Sequence, residues 1–370
     1  MGRLLSPDSQ DIPKGAQMRI VRFPFRRFLS PRWWCRLILR RPFSSLGTLL
    51  LAFLVGSNWF MHRPLAQREN VRVRSPRLFS FLQLWGNATA DLTDAWGLTG
   101  HDATSSGISS LATNSFLDVG FPAVQQGNPH APKDLVILHK KGFTIGYSPS
   151  LRHPVWVAYR SFPYQTAATN PENRPKGFRP DPDAPNCPRP SDYTRSGYDR
   201  GHMAPNLAIA SRFGQSAQED TFLLSNICPQ RPGLNQGPWY EMEYRIAEIW
   251  PEQHATIWVV VGAIPDTRKK LKGIDVPTGF YQVLLSSKPD GTLQALAVLM
   301  PQTASRHTYA RSFLISIREL EKRCGLNFFP NLPERIQQEL ETTEATRLWR
   351  TGFTGIFRVI SERYRSYSHR

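Results

Sequence analysis

Arg200 and His202 flank Gly201 within Tyr198-Asp199-Arg200-Gly201-His202-Met203-Ala204-Pro205-Asn206, just ahead of helix-prone sequence. If this stretch is extended, side chains alternate between faces, so Arg200 and His202 project to the same side with room between them at Gly201. A histidine, with an unperturbed pKa of about 6.5, is suited to taking a proton from water near neutral pH. Arginine offers a planar fork that matches phosphate oxygens and keeps its charge. Together they point to water attacking a phosphate. Taken alone, the pair also describes an ordinary half-exposed strand, so other polar positions must decide.

Two further stretches supply them. Phe222-Leu223-Leu224-Ser225-Asn226-Ile227-Cys228-Pro229-Gln230 is followed by Leu234-Asn235-Gln236-Gly237-Pro238-Trp239 and then by Glu243. Glu243 lies about two helical turns beyond Asn235, so both reach the same side of one helix. The order Asp-Arg-Gly-His-x-Ala-Pro, Ser-Asn-x-x-Pro-Gln, Leu-Asn-Gln and a later Glu resembles the DNA/RNA non-specific endonucleases of the ββα-metal type. The resemblance runs from about residue 131 to 340.

It implies a metal-dependent hydrolase that cuts phosphodiester bonds in DNA and RNA. His202 is then the general base, and Arg200 binds phosphate and offsets the charge that builds in the transition state. Asn235 is the ligand of Mg²⁺, with Mn²⁺ as the other candidate ion. Magnesium keeps most of its waters, so one neutral amide oxygen plus phosphate oxygens can hold it. Glu243 positions the metal's water, and Asn226 supports the catalytic set by orienting the base or that water. A basic residue from the loop at 163 to 192 contacts the scissile phosphate, and Lys176 or Arg179 fills that role. Asp199 is expected to orient the strand rather than react. Groups of this kind address the backbone, so they do not choose among nucleic acids. Two other readings are a relative restricted to exonuclease action and a catalytically weak, membrane-anchored nucleic-acid-binding protein.

The elements needed to position these residues are legible as patterns. Residues 135 to 138, 142 to 147, 154 to 160, 222 to 227, 256 to 262, 281 to 285 and 294 to 300 read as strands beside the central one. Gly237 and Pro238 open a helix with Trp239, Met242, Ile246, Ile249 and Trp250 as its buried stripe. Residues 311 to 324 read as a helix capped by Gly325. The expected fold is α+β, a ββα-metal nuclease core whose mixed or antiparallel sheet is flanked by helices, preceded by one transmembrane helix.

Charge and composition concern the ends of the chain. The formal net charge of +17 over 370 residues suggests an anionic partner. Residues 1 to 42, however, hold ten Arg and Lys against Asp8 and Asp11, so +8 of the excess lies there and the remainder is modestly basic. This segment reads as a basic cytoplasmic leader. Residues 43 to 61 carry no charge and are about long enough to span a hydrocarbon core, which makes them a signal anchor. Arginines crowd the N-terminal side, so the catalytic part is expected to be extracytoplasmic, with secreted or mitochondrial placement as alternatives. Residues 62 to 130 read as a polar stalk with at most a short helix, containing the glycosylation-like Asn87-Ala88-Thr89. Residues 131 to 340 form the nuclease domain, and 341 to 370 a basic amphipathic tail or a helix docked on it. Cys35, Cys187, Cys228 and Cys324 show no C-x-x-C spacing, which argues against structural zinc. Oligomeric state is not legible.

Overall fold

The computed structural model describes residues 42–63, 65–95, 101–105, 115–164, 174–288, 290–352, 355 and 357–362. The leader at 1 to 41 lies outside them. Nine strands organise the fold: β1 (Ala103–Ser105), β2 (Val136–Lys140), β3 (Phe143–Ser148), β4 (His153–Ser161), β5 (Asp199–His202), β6 (Ile227–Gln230), β7 (Ile257–Ile264), β8 (Gly279–Ser287) and β9 (Leu293–Pro301). Seven join one sheet in the order β1-β9-β8-β7-β4-β3-β2, and Leu314–Ile315 adds to β9. Every pairing in it is antiparallel. β5 and β6 form a separate antiparallel ribbon.

The aliphatic run of β7 is buried on both faces. Val259 and Val261 join one core, whereas Trp258 and Val260 join the other. The first core receives Trp239, Met242, Ile246, Ile249 and Trp250, the stripe expected from the sequence, together with Ala208 and Ile209. The opposite core receives Ile317, Leu320, Ile336 and Leu340 from two helices near the C-terminal end of the fold. The α+β expectation with an antiparallel sheet therefore holds.

The helices are α1 (Pro42–Met61), α2 (Leu65–Arg74), α3 (Pro76–Ala95), α4 (Asn206–Phe213), α5 (Tyr240–Tyr244), α6 (Ile317–Cys324) and α7 (Glu334–Thr342), besides shorter turns. The chain divides into two units, Met1–Phe53 and Leu54–Arg370. In the first, the described residues are the opening turns of α1, where Leu50 and Leu51 are exposed. In the second, the end of α1 packs on α3, with the Phe60 ring edge-on to Phe79 at 6.1 Å. The uncharged run is thus helical, but among the described residues no helix is long and apolar enough to cross a membrane.

Several local expectations need correction. The stretch read as a stalk contains two helices, and β1 adds a strand to the main sheet. Asp102 anchors it through an ion pair with Arg347 at 2.8 Å. Asn87 is buried on α3 and presents no acceptor to solvent. Residues 222 to 227 are not a strand: turns and a short 3₁₀ segment fill them until β6 begins. The helix expected at 311 is interrupted because Leu314–Ile315 pairs with β9. Ser316 then caps α6 by accepting from the Glu319 amide at 3.2 Å, and Gly325 ends it at φ 68°. In the C-terminal tail, Leu348, Trp349 and Val359 are buried in the first core, so this part docks on the fold.

Candidate active site

The β5·β6 ribbon places Arg200 and His202 on one face, since both lie over the Phe178 ring, at 5.6 Å and 5.4 Å. Glycine between them leaves room for the buried Gln230 side chain of the paired strand, which a Cβ at Gly201 would displace. Arg200 donates to the Pro190 carbonyl at 2.9 Å and its guanidinium lies over Tyr193, which holds the fork in place.

His202 sits in an aromatic frame. Phe222 meets its ring edge-on at 5.2 Å, and Phe178 packs against both at 5.4 Å and 5.1 Å. That frame is held by backbone: Arg179 N donates to Phe222 O at 3.1 Å and Leu224 N to Arg179 O at 2.9 Å. Asp181 anchors the same loop, accepting from Lys140 at 2.9 Å and Ser225 at 2.5 Å. Burial, reinforced by the Arg174 charge, pulls the His202 imidazole down to about 3. Its Nε2 is shielded and pairs with no described atom. The ring is therefore a neutral base with a nitrogen to spare.

Trp239 ties the histidine strand to the next helix, donating from Nε1 to His202 O at 3.3 Å and to Glu243 Oε1 at 3.1 Å. Burial pushes the Glu243 carboxyl up to about 8, against the pull of that hydrogen bond and of Arg174. Both Glu243 and His202 keep an edge open to solvent, as groups that meet a substrate must.

Asn235, Trp239 and Glu243 follow at intervals of four residues, Asn235 before and the other two after a kink at Gly237 (φ −114°, ψ −114°). The helical run begins earlier than Pro238, with Pro232–Leu234 and a wide turn at Asn235–Trp239. It passes Gly237, where a Cβ would meet Arg306 Cα at 2.6 Å. Asn235 Nδ2 donates to Asp199 Oδ2 at 2.9 Å, and Gln236 donates to the same oxygen at 2.7 Å. With its nitrogen so engaged, the Asn235 amide leaves its oxygen free to accept a cation. Among the described residues there is no cluster of three or more His, Cys, Asp or Glu that could hold a metal. The donor set therefore fits a hard ion that retains most of its water better than a caged transition metal.

Other expected residues land differently. Asn226 is fully buried and its amide is consumed: Oδ1 accepts from Ala204 N at 2.8 Å, while Nδ2 donates to Ala204 O and Thr221 O, both at 3.0 Å. It positions the backbone just after His202 and does not face a ligand. Asn226→Ala should leave these buried groups unpaired at about 1–3 kcal/mol each. We expect a clear fall in Tm with metal affinity unchanged, read by thermal melts and calorimetric titration.

Lys176 and Arg179 are exposed on the loop. Arg174, exposed on the same loop, adds its charge to the field on both His202 and Glu243, and its guanidinium lies 5.4 Å from the Phe222 ring. The sequence reading passed over Arg174, two residues before Lys176, and the roles of Trp239, Phe178 and Phe222. Alternation and spacing register neighbours along an element, and these groups meet His202 across elements. Asp199 was within reach, because it belongs to the motif itself.

The Glu243 shift carries a stability consequence. Its carboxyl is protonated in the folded protein up to about pH 8 but ionises near its ordinary value of 4.5 when unfolded. Its contribution is therefore full below about pH 4.5 and is lost as pH rises through about 8. Glu243→Gln should melt at the parent's temperature in acid and several degrees higher near pH 8, in melts without metal. Parallel melting curves across that range would show the carboxyl to be ionised in the fold.

Comparison with known proteins gives the family. The model of the DNA/RNA non-specific endonuclease family matches residues 121–335, more than half of the chain. "Nuclease EXOG, mitochondrial" of Danio rerio is 35% identical over 224 residues, covering 55% of this chain and 64% of the relative. "Endonuclease G, mitochondrial" of Homo sapiens is 29% identical over 212 residues, covering 53% and 70%. "Mitochondrial nuclease" of Saccharomyces cerevisiae is 30% identical over 219 residues, covering 53% and 66%. The chain thus spans about two thirds of the length of these curated relatives. With its motifs gathered on one ribbon and the helix beside it, the chain belongs to the DNA/RNA non-specific endonuclease family.

Proposed function

We propose that the domain at about 131 to 340 is a phosphodiester hydrolase that cuts DNA and RNA internally. The observation that carries this reading is His202: a half-buried, neutral imidazole with a shielded, unpartnered Nε2, sharing the Phe178 ring with Arg200 and lying in the field of Arg174. His202 takes the proton from the attacking water on its imidazole ring. Arg200, held by Pro190 O, and Arg174 receive phosphate oxygens and offset their charge as it concentrates. Asn235, its side chain oriented by Asp199, would hold Mg²⁺ or Mn²⁺ through its amide oxygen. When bound, such an ion polarises the phosphate and stabilises the departing oxygen. Glu243, fixed by Trp239, orients the water shell around that position. Phe178 and Phe222 exclude bulk water from the histidine and keep it uncharged.

The test is incubation of the purified full chain with closed-circular plasmid and with RNA, with and without Mg²⁺. Linearised and then fragmented plasmid is expected only when the ion is present. Full activity in excess chelator would remove the metal from the reaction, and loss of plasmid without internal cuts would favour an exonuclease.

For location, we favour the mitochondrial alternative over an anchor facing the cell exterior. The Arg-rich leader suits organelle import, and relatives carry "mitochondrial" in their names. Fractionation should find the chain resistant to protease until mitochondrial membranes are broken. Digestion in intact cells or spheroplasts would restore the exterior placement.

A further inference from the structure

A cavity of about 510 Å³ opens at the end of the β5·β6 ribbon, with Tyr198, Arg231, Gly233 and Thr303 in its walls. The ribbon's register accounts for its chemistry. Asp199 pairs with Gln230, so Tyr198 and Arg231 are the next residues out on the two strands. Arg231 also begins the turn that delivers Asn235, whose amide nitrogen donates to Arg231 O at 3.0 Å. One wall of the cavity and the candidate metal ligand therefore share a single helical turn.

The opposite wall is built against it by close backbone contact. Arg231 N donates to Gln302 Oε1 at 2.8 Å, and a Cβ on Gly233 would lie 2.8 Å from Ala304 O. Arg231 is exposed, and its guanidinium makes no ion pair or hydrogen bond among the described residues. Lys269, also exposed, places its Nζ 5.5 Å from the Tyr198 ring centroid. The nearby acid, Asp199, has one oxygen already taken by Asn235 and Gln236. An unpaired guanidinium and an aromatic ring in the lining of one cavity suit a ligand with an anionic end and a flat end. Tyr198 lies four residues from His202, about 13 Å along an extended chain. A ligand there sits beside the reacting phosphate and not on it.

We propose that this cavity is a subsite for a nucleotide flanking the scissile phosphate, its phosphate held by Arg231 and its base against the Tyr198 ring. The consequence is a preference for chains of several nucleotides over single ones, set by residues outside the reacting centre. The inference rests on the hydrolase reading above.

The test compares Arg231→Gln and Tyr198→Leu with the parent full chain on two substrates: a single-stranded oligonucleotide of about twelve nucleotides, and a nitrophenyl ester of one nucleotide. The ratio of kcat/KM for the oligonucleotide to that for the ester should fall about tenfold in each variant. Arg231→Gln should also flatten the salt dependence of oligonucleotide binding by about 0.7 in log–log slope, and Arg231→Lys should restore it. Binding is read separately, by anisotropy of a labelled oligonucleotide in chelator, where the same variants should lose about tenfold in affinity. Ratios and affinities within about twofold of the parent in both variants overturn the subsite. If the parent cleaves neither substrate, the hydrolase reading fails, and the affinity measurements still decide whether the cavity binds nucleotide.

Discussion

Replacing His202 with alanine is expected to lower turnover by about 10²-fold or more while leaving the fold intact, the usual scale for loss of a positioned base. The ring contributes little to the architecture, because its Nε2 has no partner to lose and its neighbours Phe178 and Phe222 already touch each other. The same burial makes a prediction about pH. An ordinary imidazole stops acting as a base as pH falls through about 6.5. Here burial and the Arg174 charge bring that point down to about 3, so His202 stays neutral as pH falls through 6.5. The profile of kcat/KM should therefore show no acid limb near 6.5 that disappears in His202→Ala. A near-parental rate for His202→Ala under saturating metal would take this residue out of the reaction.

Asn235→Ala should be nearly as damaging at low Mg²⁺, by about 10²-fold, with partial recovery as the ion concentration rises. A neutral amide oxygen contributes one ligand to an ion that draws the rest from water and substrate, so its loss weakens binding and does not abolish it. Asp199→Ala offers a graded comparison. Asp199 accepts from both Asn235 and Gln236, and removing an oriented outer partner typically costs about 10–100-fold. Calorimetric titration of Mg²⁺ into each variant separates the cases. If Asn235→Ala binds the ion as tightly as the parent and extra Mg²⁺ recovers nothing, the residue is structural.

The sequence by itself determined the family motifs and most of the scaffold. Alternation placed Arg200 and His202 on one face with glycine between them, and turn spacing put Asn235 and Glu243 about two turns apart, because both relations are local in the chain. The strands at 153 to 161, 257 to 264 and 279 to 287 announced themselves by continuous apolar runs. Only the tertiary structure decided what those residues experience. That Asn226 spends its amide on Ala204 and Thr221, that the Arg174 guanidinium lies 5.4 Å from the Phe222 ring, and that Trp239 bridges strand to helix are contacts between segments apart in the chain. The same holds for the pKa shifts, which arise from desolvation and have no counterpart in an unfolded chain. β1 is a further case: three residues, Ala103 to Ser105, carry no strand signal of their own and become a strand because an open sheet edge at β9 offers them hydrogen bonds.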